Sequence, residues 1–389
     1  MRFQLLRPMP SRRGFLRNTL GAAWTGAALL EQAMFRATAA RAQSTGGLPE
    51  LFQIEKVAEG VYAAIARPQA LINCNAAIFE QEKDLLIVDT HSKPSAVVSL
   101  VSQLKREVTQ KPVKYIVNSH FHWDHTQGAP TYKRFAPHAD FVSSEVTRKL
   151  ISENGAQRLK ESVETARAAL PGYKDKAAQA KTPQERTHYQ QVAADTQSYI
   201  NEMKNYQPEL PNVTFETDLI IHDKAHDLHL AFRGRGHTAG DVVVYCPQKK
   251  VISTGDLMHG FAPYILDGFP LSWPITLRSV AMFPFEHLIG GHGAVQHTRE
   301  RIYQMAGYIE ELTELVESGK KARRSVEQIR QSITPASLVS LSAGSYGQFL
   351  GQSIGKYALQ PPTGAQEEKI LANAVNANVG HIFTALDRS

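Results

Sequence analysis

Residues 118–128 read NSHFHWDHTQG and place His120, His122, Asp124 and His125 within six positions. The stretch follows VKYIVNS, a run of β-formers, so these side chains leave the end of a predicted strand. Two histidines separated by one residue project their rings to one side there, which suits ligation of a single ion. Asp124 and His125 follow at once and can serve a second. A tetrahedral site needs more donors than one loop supplies. If this is a metal centre and not a polar loop, the fold must deliver further histidines and carboxylates to the same place.

Three later residues meet that demand. His237 stands in GRGHTAGD, Asp256 in VISTGD and His292 in LIGGHGAV. Each follows an apolar, strand-like run and has glycine beside it, which permits tight turns and close backbone approach. Taken singly, each is an ordinary loop or turn residue. Taken with the first four, they make a ligand set that surface polarity does not explain.

The organisation around them is α/β. GVYAAIA, CNAAIFE and DLLIVDT read as short strands, SAVVSLVSQLKREV as a helix, and VKYIVNS as the strand leading into the histidine motif. Ligands gather at strand ends of this kind. Between about 143 and 207 the sequence becomes charged and helical. Thr182-Pro183-Gln184-Glu185 starts one helix there, and Val192, Tyr199 and Met203 give it an apolar stripe. A packed insertion and a lid over the site are both open readings. Strands return in NVTFETDLIIHD, DLHLAFRG, DVVVYCP, KKVISTGD and HLIGGHG. An amphipathic helix through Ile302, Met305, Ile309, Leu312 and Val316 follows, then a capping box at Ser325–Gln328. Beyond 335 only EEKILANAVNAN is plainly helical.

The ordered set H-x-H-x-D-H at 120–125, G-H-T-x-G-D at 236–241, G-D at 255–256 and G-H-G at 291–293 resembles the metallo-β-lactamase superfamily over about residues 52–320. The resemblance implies a four-layer αββα sandwich with a helical insertion, occupying 43–334, followed by a C-terminal extension over 335–389. It also implies that His120, His122 and His237 hold a first metal, that Asp124, His125 and His292 hold a second, and that Asp256 bridges them. Asp89, closing the strand LLIVD, resembles the family's buried aspartate, which orients the metal loop by hydrogen bonding.

A net charge of +6 on 389 residues would ordinarily raise nucleic acid as a partner. The excess lies in the first 42 residues, where seven arginines face one glutamate, and the remainder is balanced. That excludes a basic binding surface on the folded part. Ser11-Arg12-Arg13-Gly14-Phe15-Leu16, the weakly apolar LGAAWTGAALL and the small-residue site Ala40-Arg41-Ala42 instead resemble a bacterial twin-arginine signal over 1–42. The apolar run is well short of the ~20 residues a membrane span needs. The expectation is export of the folded protein by the twin-arginine machinery, cleavage before Gln43, a periplasmic or secreted location, and no stable membrane anchor. Cys74 and Cys246, both in apolar runs, are either a disulfide or two buried thiols.

Nitrogen and carboxylate donors without cysteine suit zinc and tolerate manganese or iron. Two zinc ions imply attack of a bridging hydroxide on a carbonyl carbon, with Asp124 and Asp256 as catalytic carboxylates and Asp124 steering the proton. The substrate expected is a small ester, lactone, lactam or related molecule. Where this chain has Asp256, zinc β-lactamases usually carry cysteine or serine. Quorum lactonases place a tyrosine soon after the bridging aspartate, where His259 stands here. The alternative is a mononuclear iron oxidoreductase of the persulfide dioxygenase kind. His91, His259 and His297 lie close enough to the motifs to support ligands or touch substrate. The loop HGFAPYILDGFPLSWP offers Phe261, Tyr264, Phe269 and Trp273, with Trp123 in the motif itself, as lining for an acyl pocket.

Overall fold

The computed structural model describes residues 50–68, 72–357 and 364–387. The signal expected over 1–42 and its cleavage before Gln43 lie outside the described residues. Among the described residues, the first sheet is built of β1 (Phe52–Ala58), β2 (Val61–Ala66), β3 (Ala76–Glu80), β4 (Leu85–Val88), β5 (Val113–Val117), β6 (Asp140–Ser144) and β7 (Val213–Phe215). They lie side by side in chain order. The first four form an antiparallel meander, and β4 to β7 run parallel. The second sheet has the order β12-β11-β10-β9-β8, from β8 (Asp218–Ile221), β9 (Leu228–Phe232), β10 (Val242–Cys246), β11 (Val251–Gly255) and β12 (His287–Gly290). Of these only β11 and β12 are parallel.

NVTFETDLIIHD, which reads as one strand run, is divided between the sheets. Val213–Phe215 pairs with β6 and Asp218–Ile221 with β9, so the chain crosses over at Glu216 and Thr217. A two-residue polar step inside an apolar run carries no periodicity signal that would reveal such a switch.

Helices cover both outer faces. Against the first sheet lie α1 (Pro94–Glu107) and, after the single turn α2 (Trp123–Thr126), α3 (Ala129–Phe135). Leu100, Leu104 and Tyr132 pack there onto Ile78, Ile87 and Ile116. Between the sheets, Phe79, Leu86 and Val117 meet Leu230, Val244 and Ile289. The near-continuous apolar sequence of β4 and β10 follows from burial on both faces, and β11 is likewise buried along its length. The result is the αββα sandwich.

Two long helices, α4 (Glu145–Gln179) and α5 (Pro183–Glu202), form the insertion. Ser144 caps the first through Thr147 N–H, and Thr182 caps the second through Glu185 N–H. They pack on each other through Val163, Leu170, Tyr199 and Met203, with Trp123 against this cluster.

The far face carries α6 (Trp273–Ala281), α7 (Glu300–Lys321), α8 (Val326–Ser332, with the expected capping box), α9 (Val339–Ser342), α10 (Ser345–Tyr357) and α11 (Gly364–Ala385). The segment beyond 335 is more than an appended tail. Leu350, Val375, Val379 and Ile382 join Trp273, Ile309 and Leu312 in one core. The motif-poor sequence SLSAGSYGQFLG gives little sign of that helix. Cys74 and Cys246 are both free and buried, and burial pushes the thiols up to about 12 and about 11. No helix among the described residues is long and apolar enough to cross a membrane.

If the C-terminal helix is part of the main core, Ile382→Ala should cost about 2–5 kcal/mol in a denaturant titration. A loss below about 0.5 kcal/mol would mean that the segment is an independent appendage.

Candidate metal centre

The ligand-type residues sit where parallel strands of both sheets end. Asp89 follows β4, the histidine motif follows β5, Asp256 follows β11 and His292 follows β12. His237 comes from the loop between β9 and β10. Backbone hydrogen bonds stitch these ends together: Val242 N–H to Ser119 O at 2.8 Å, Gly291 N–H to Gly255 O at 2.8 Å and Gly260 N–H to His292 O at 2.8 Å.

All seven candidates are buried, and their donor atoms converge. His120, His122 and His237 form one group, and Asp124, His125 and His292 another, each with ligand atoms within 4.8 Å of one another. Asp256 lies between them. Its Oδ2 is 4.0 Å from His120 Nε2, 3.6 Å from His237 Nε2 and 3.4 Å from His292 Nε2, and its Oδ1 is 3.4 Å from His125 Nε2. Asp124 Oδ2 is 3.2 Å from His292 Nε2 and 3.4 Å from His125 Nε2. Donors bonded at 2.0–2.1 Å to a tetrahedral ion stand about 3.3 Å apart, which the 3.2–3.4 Å spacings among Asp124, His125, Asp256 and His292 match, while Asp256 stands somewhat farther from His237 and His120.

Two further observations fit a cation. His120 Nε2 is buried with no hydrogen-bond partner, and His122 Nδ1 faces His237 Nε2 at 2.9 Å. Charge compensation points the same way. Burial works against ionisation of Asp256, yet His292 and His125 hold its carboxyl well below the usual range, and the same holds for Asp124 beside His125. Burial opposes charge on His292 as well, but Asp256 and Asp124 push it up to about 9. His120 and His237 are held well below the ordinary imidazole value by burial and by neighbouring imidazoles, which keeps lone pairs available.

Asp89 orients two of the ligands. Its carboxylate accepts Ser119 N–H and Ser119 O–H, both at 2.8 Å, and takes a hydrogen bond from His125 Nδ1 at 2.8 Å. The Ser119 proton is thus spent on Asp89, so Ser119 Oγ receives His120 Nδ1–H at 3.0 Å. Both histidines are left with Nε2 as the free lone pair, aimed at the site. Asp89 itself has φ of 69° and lies in the left-handed region, a strain tolerated where neighbouring contacts overdetermine it. In the His237 loop, Asp241 accepts Thr238 N–H at 2.9 Å and Thr238 O–H at 2.6 Å, and burial pushes its carboxyl up to about 7.

The histidines outside the ligand set divide. His259 is buried, its Nδ1 accepts Phe261 N–H, and its ring centre is 5.8 Å from that of His292. His91 is buried behind the loop against Cys74 O and Phe52, and it meets none of the ligands directly. The expectation of a contact role for His297 is corrected: it pairs with His287 at the surface, Nδ1 to Nδ1 at 2.9 Å. The aromatic loop also divides. Phe261 stacks on His292 at 6.0 Å, and Tyr264 stands half-exposed with its ring centre 6.4 Å from that of His122. Trp273 is fully buried and donates to Leu257 O, Phe269 lies under Arg235, and Trp123 turns into the insertion against Tyr199. Phe261, Tyr264 and Trp273, whose ring centre lies 5.4 Å from that of His237, border the ligands. Cys74 lies within ligand distance of Asp89 and His125, but its thiol stays protonated and Asp89 is already engaged.

Three contributors have no motif to announce them. Asn75, in the middle of LINCNAAIF, donates through Nδ2 to Gly290 O and Gly293 O at 2.9 Å and clamps the His292 loop to the first sheet. A buried asparagine at the head of an apolar strand is the one signal the sequence holds for it. Asp267 accepts from His122 Nε2 at 2.9 Å, and Arg158 of α4 donates to both Asp267 oxygens at 2.8 Å. Burial opposes charge on Asp267, but His122 and Arg158 bring it down to about 2.

The chain belongs to the metallo-beta-lactamase superfamily, whose family model matches residues 71–292 and so spans every candidate ligand. Among solved structures it is similar to a metallo-beta-lactamase from Pontibacter korlensis, with 19% identity and a TM-score of 0.47 over 66% of this chain and 98% of that one.

Gly291 shows how little slack the site has. A Cβ there would land on Asp256 Oδ1 and 2.8 Å from His125 Cε1. Gly291→Ala should therefore weaken metal uptake about 10–100-fold in competition with a chromophoric chelator while leaving the far-UV spectrum unchanged. Wild-type affinity in that variant would contradict the packing described.

Proposed function

We propose that this chain is a binuclear zinc hydrolase acting on a small ester, lactone, lactam or related carbonyl substrate, exported by the twin-arginine route to the periplasm. The observation that carries the metal part is the convergence of six buried donors, with His120, His122 and His237 within ligand distance of one another, Asp124, His125 and His292 likewise, and Asp256 grouped with both His120 and His125. His120, His122 and His237 would hold one ion, Asp124, His125 and His292 the other, and Asp256 would touch both. Two such ions, when bound, polarise a carbonyl oxygen and make water acidic enough to supply a nucleophile near neutral pH.

The remaining chemistry falls to the chain. Asp124, whose Oδ2 lies 3.4 Å from His125 Nε2 and 3.2 Å from His292 Nε2, is the carboxylate that would take and return a proton. Asp89 and Ser119 fix the proton positions of His120 and His125, so neither ring needs to change tautomer during turnover. Phe261 and Tyr264 offer apolar surface beside the ligands for the substrate's acyl portion. An aspartate at 256 in place of cysteine or serine favours esters, lactones and thioesters over efficient lactam cleavage. The location rests on residues 1–42 alone, and it argues against a substrate drawn from cytoplasmic thiol pools.

A panel of chromogenic esters, lactones, thioesters and a cephalosporin tests this reading. At least one class should be hydrolysed, with activity lost on chelation and restored by zinc. No hydrolysis by the zinc-loaded protein, together with oxygen uptake on a persulfide by the iron-loaded protein, would replace it with the oxidoreductase.

A further inference from the structure

We propose that the helical insertion completes the first metal group: Arg158 of α4, acting through Asp267, positions His122 as a ligand. This rests on the metal-centre reading above and adds a dependence that the sandwich alone does not have.

Both ring nitrogens of His122 have a close partner. Nε2 lies 2.9 Å from Asp267 Oδ2 and Nδ1 lies 2.9 Å from His237 Nε2. A carboxylate only accepts, so the proton resides on Nε2 and the Nδ1 lone pair points into the first group. That is the opposite nitrogen from His120 and His125, which face their groups through Nε2. A ring presenting Nδ1 must be turned about its side-chain torsions relative to its neighbours, and something has to hold it there.

Asp89 supports His120 and His125 from within the sandwich. Asp267 supports His122 from outside it. Asp267 belongs to the loop between β11 and α6, where Gly268 N–H bonds Ile265 O at 3.0 Å and Gly268 packs on Trp273. Asn378 of α11 adds a hydrogen bond to Pro263 O at 2.8 Å. The loop backbone is thus fixed, and the carboxylate is aimed by Arg158. Its Nη2 reaches both Asp267 oxygens, and its guanidinium lies 5.5 Å from the ring centre of Phe121, the residue between His120 and His122. Arg158 thereby touches the metal loop from two directions. Both partners retain some solvent contact, with side-chain exposures of 29% and 20%. The pair therefore acts by directing geometry more than by raw attraction.

Metal-free protein titrated with zinc against a chromophoric chelator tests the inference. Asp267→Ala should weaken the first site about 10–100-fold and leave the second within about threefold. Asp267→Asn, which keeps an acceptor, should recover part of the loss. Arg158→Gln should give a smaller loss, and the Arg158→Gln/Asp267→Ala double variant should be no worse than Asp267→Ala alone. In cobalt-loaded protein, the exchangeable Nε2–H resonance of His122 should broaden in Asp267→Ala while the Nδ1–H resonance of His125 stays sharp. Equal loss at both sites, or no loss at the first, would overturn the inference. A wild-type chain that takes up no metal would instead overturn the metal-centre reading beneath it.

Discussion

Everything at this edge of the sandwich depends on burying two carboxylates among five imidazoles. Such a cluster is stable only if its negative charge is compensated and each ring presents the correct nitrogen. The fold meets the second condition with hydrogen bonds from behind. Asp89 and Ser119 settle the tautomers of His120 and His125, and Asp267 settles that of His122. The first condition is met here by His125 and His292, which hold the Asp124 and Asp256 carboxyls ionised; under the proposed function, bound divalent ions would meet it. Close approach then excludes side chains at Gly255 and Gly291, where a Cβ would meet Ser119 and Asp256.

That constraint explains which parts of the site are legible in the sequence. Ligands must leave strand ends and need glycine nearby, so His120, His122, His237, Asp256 and His292 announce themselves by local pattern. Asp89 is legible only through its place at the end of LLIVD and the family it resembles. Asp267 and Arg158 are not legible at all. They lie 145 and 36 residues from His122 along the chain, and a Leu-Asp-Gly turn or an arginine on a charged helix looks like any other. His297 is the reverse case. It stands near a motif in sequence, yet β12 and the bridge from Leu288 to Gln296 carry it to the surface beside His287.

The fold shows the same division. Strands buried on both faces and helices with clear apolar stripes are readable, because period and composition carry the signal. The division of residues 213–221 between two sheets is not, because it depends on which partner strand each half finds. The C-terminal helices are weakly patterned because α7 and α6 already cover much of the sheet. The helices that follow need only a few apolar contacts, such as Leu350, Val379 and Ile382, to join that core. Their reach is longer than it looks, since Asn378 braces the loop that carries Asp267.

The most direct test of the central claim is the metal content of the purified, folded chain, measured by elemental analysis. The account predicts about two zinc ions per chain, falling to about one when Asp124, His125 and His292 are replaced together. A chain that carries no metal after reconstitution, or one whose content is unchanged by that triple replacement, would contradict it.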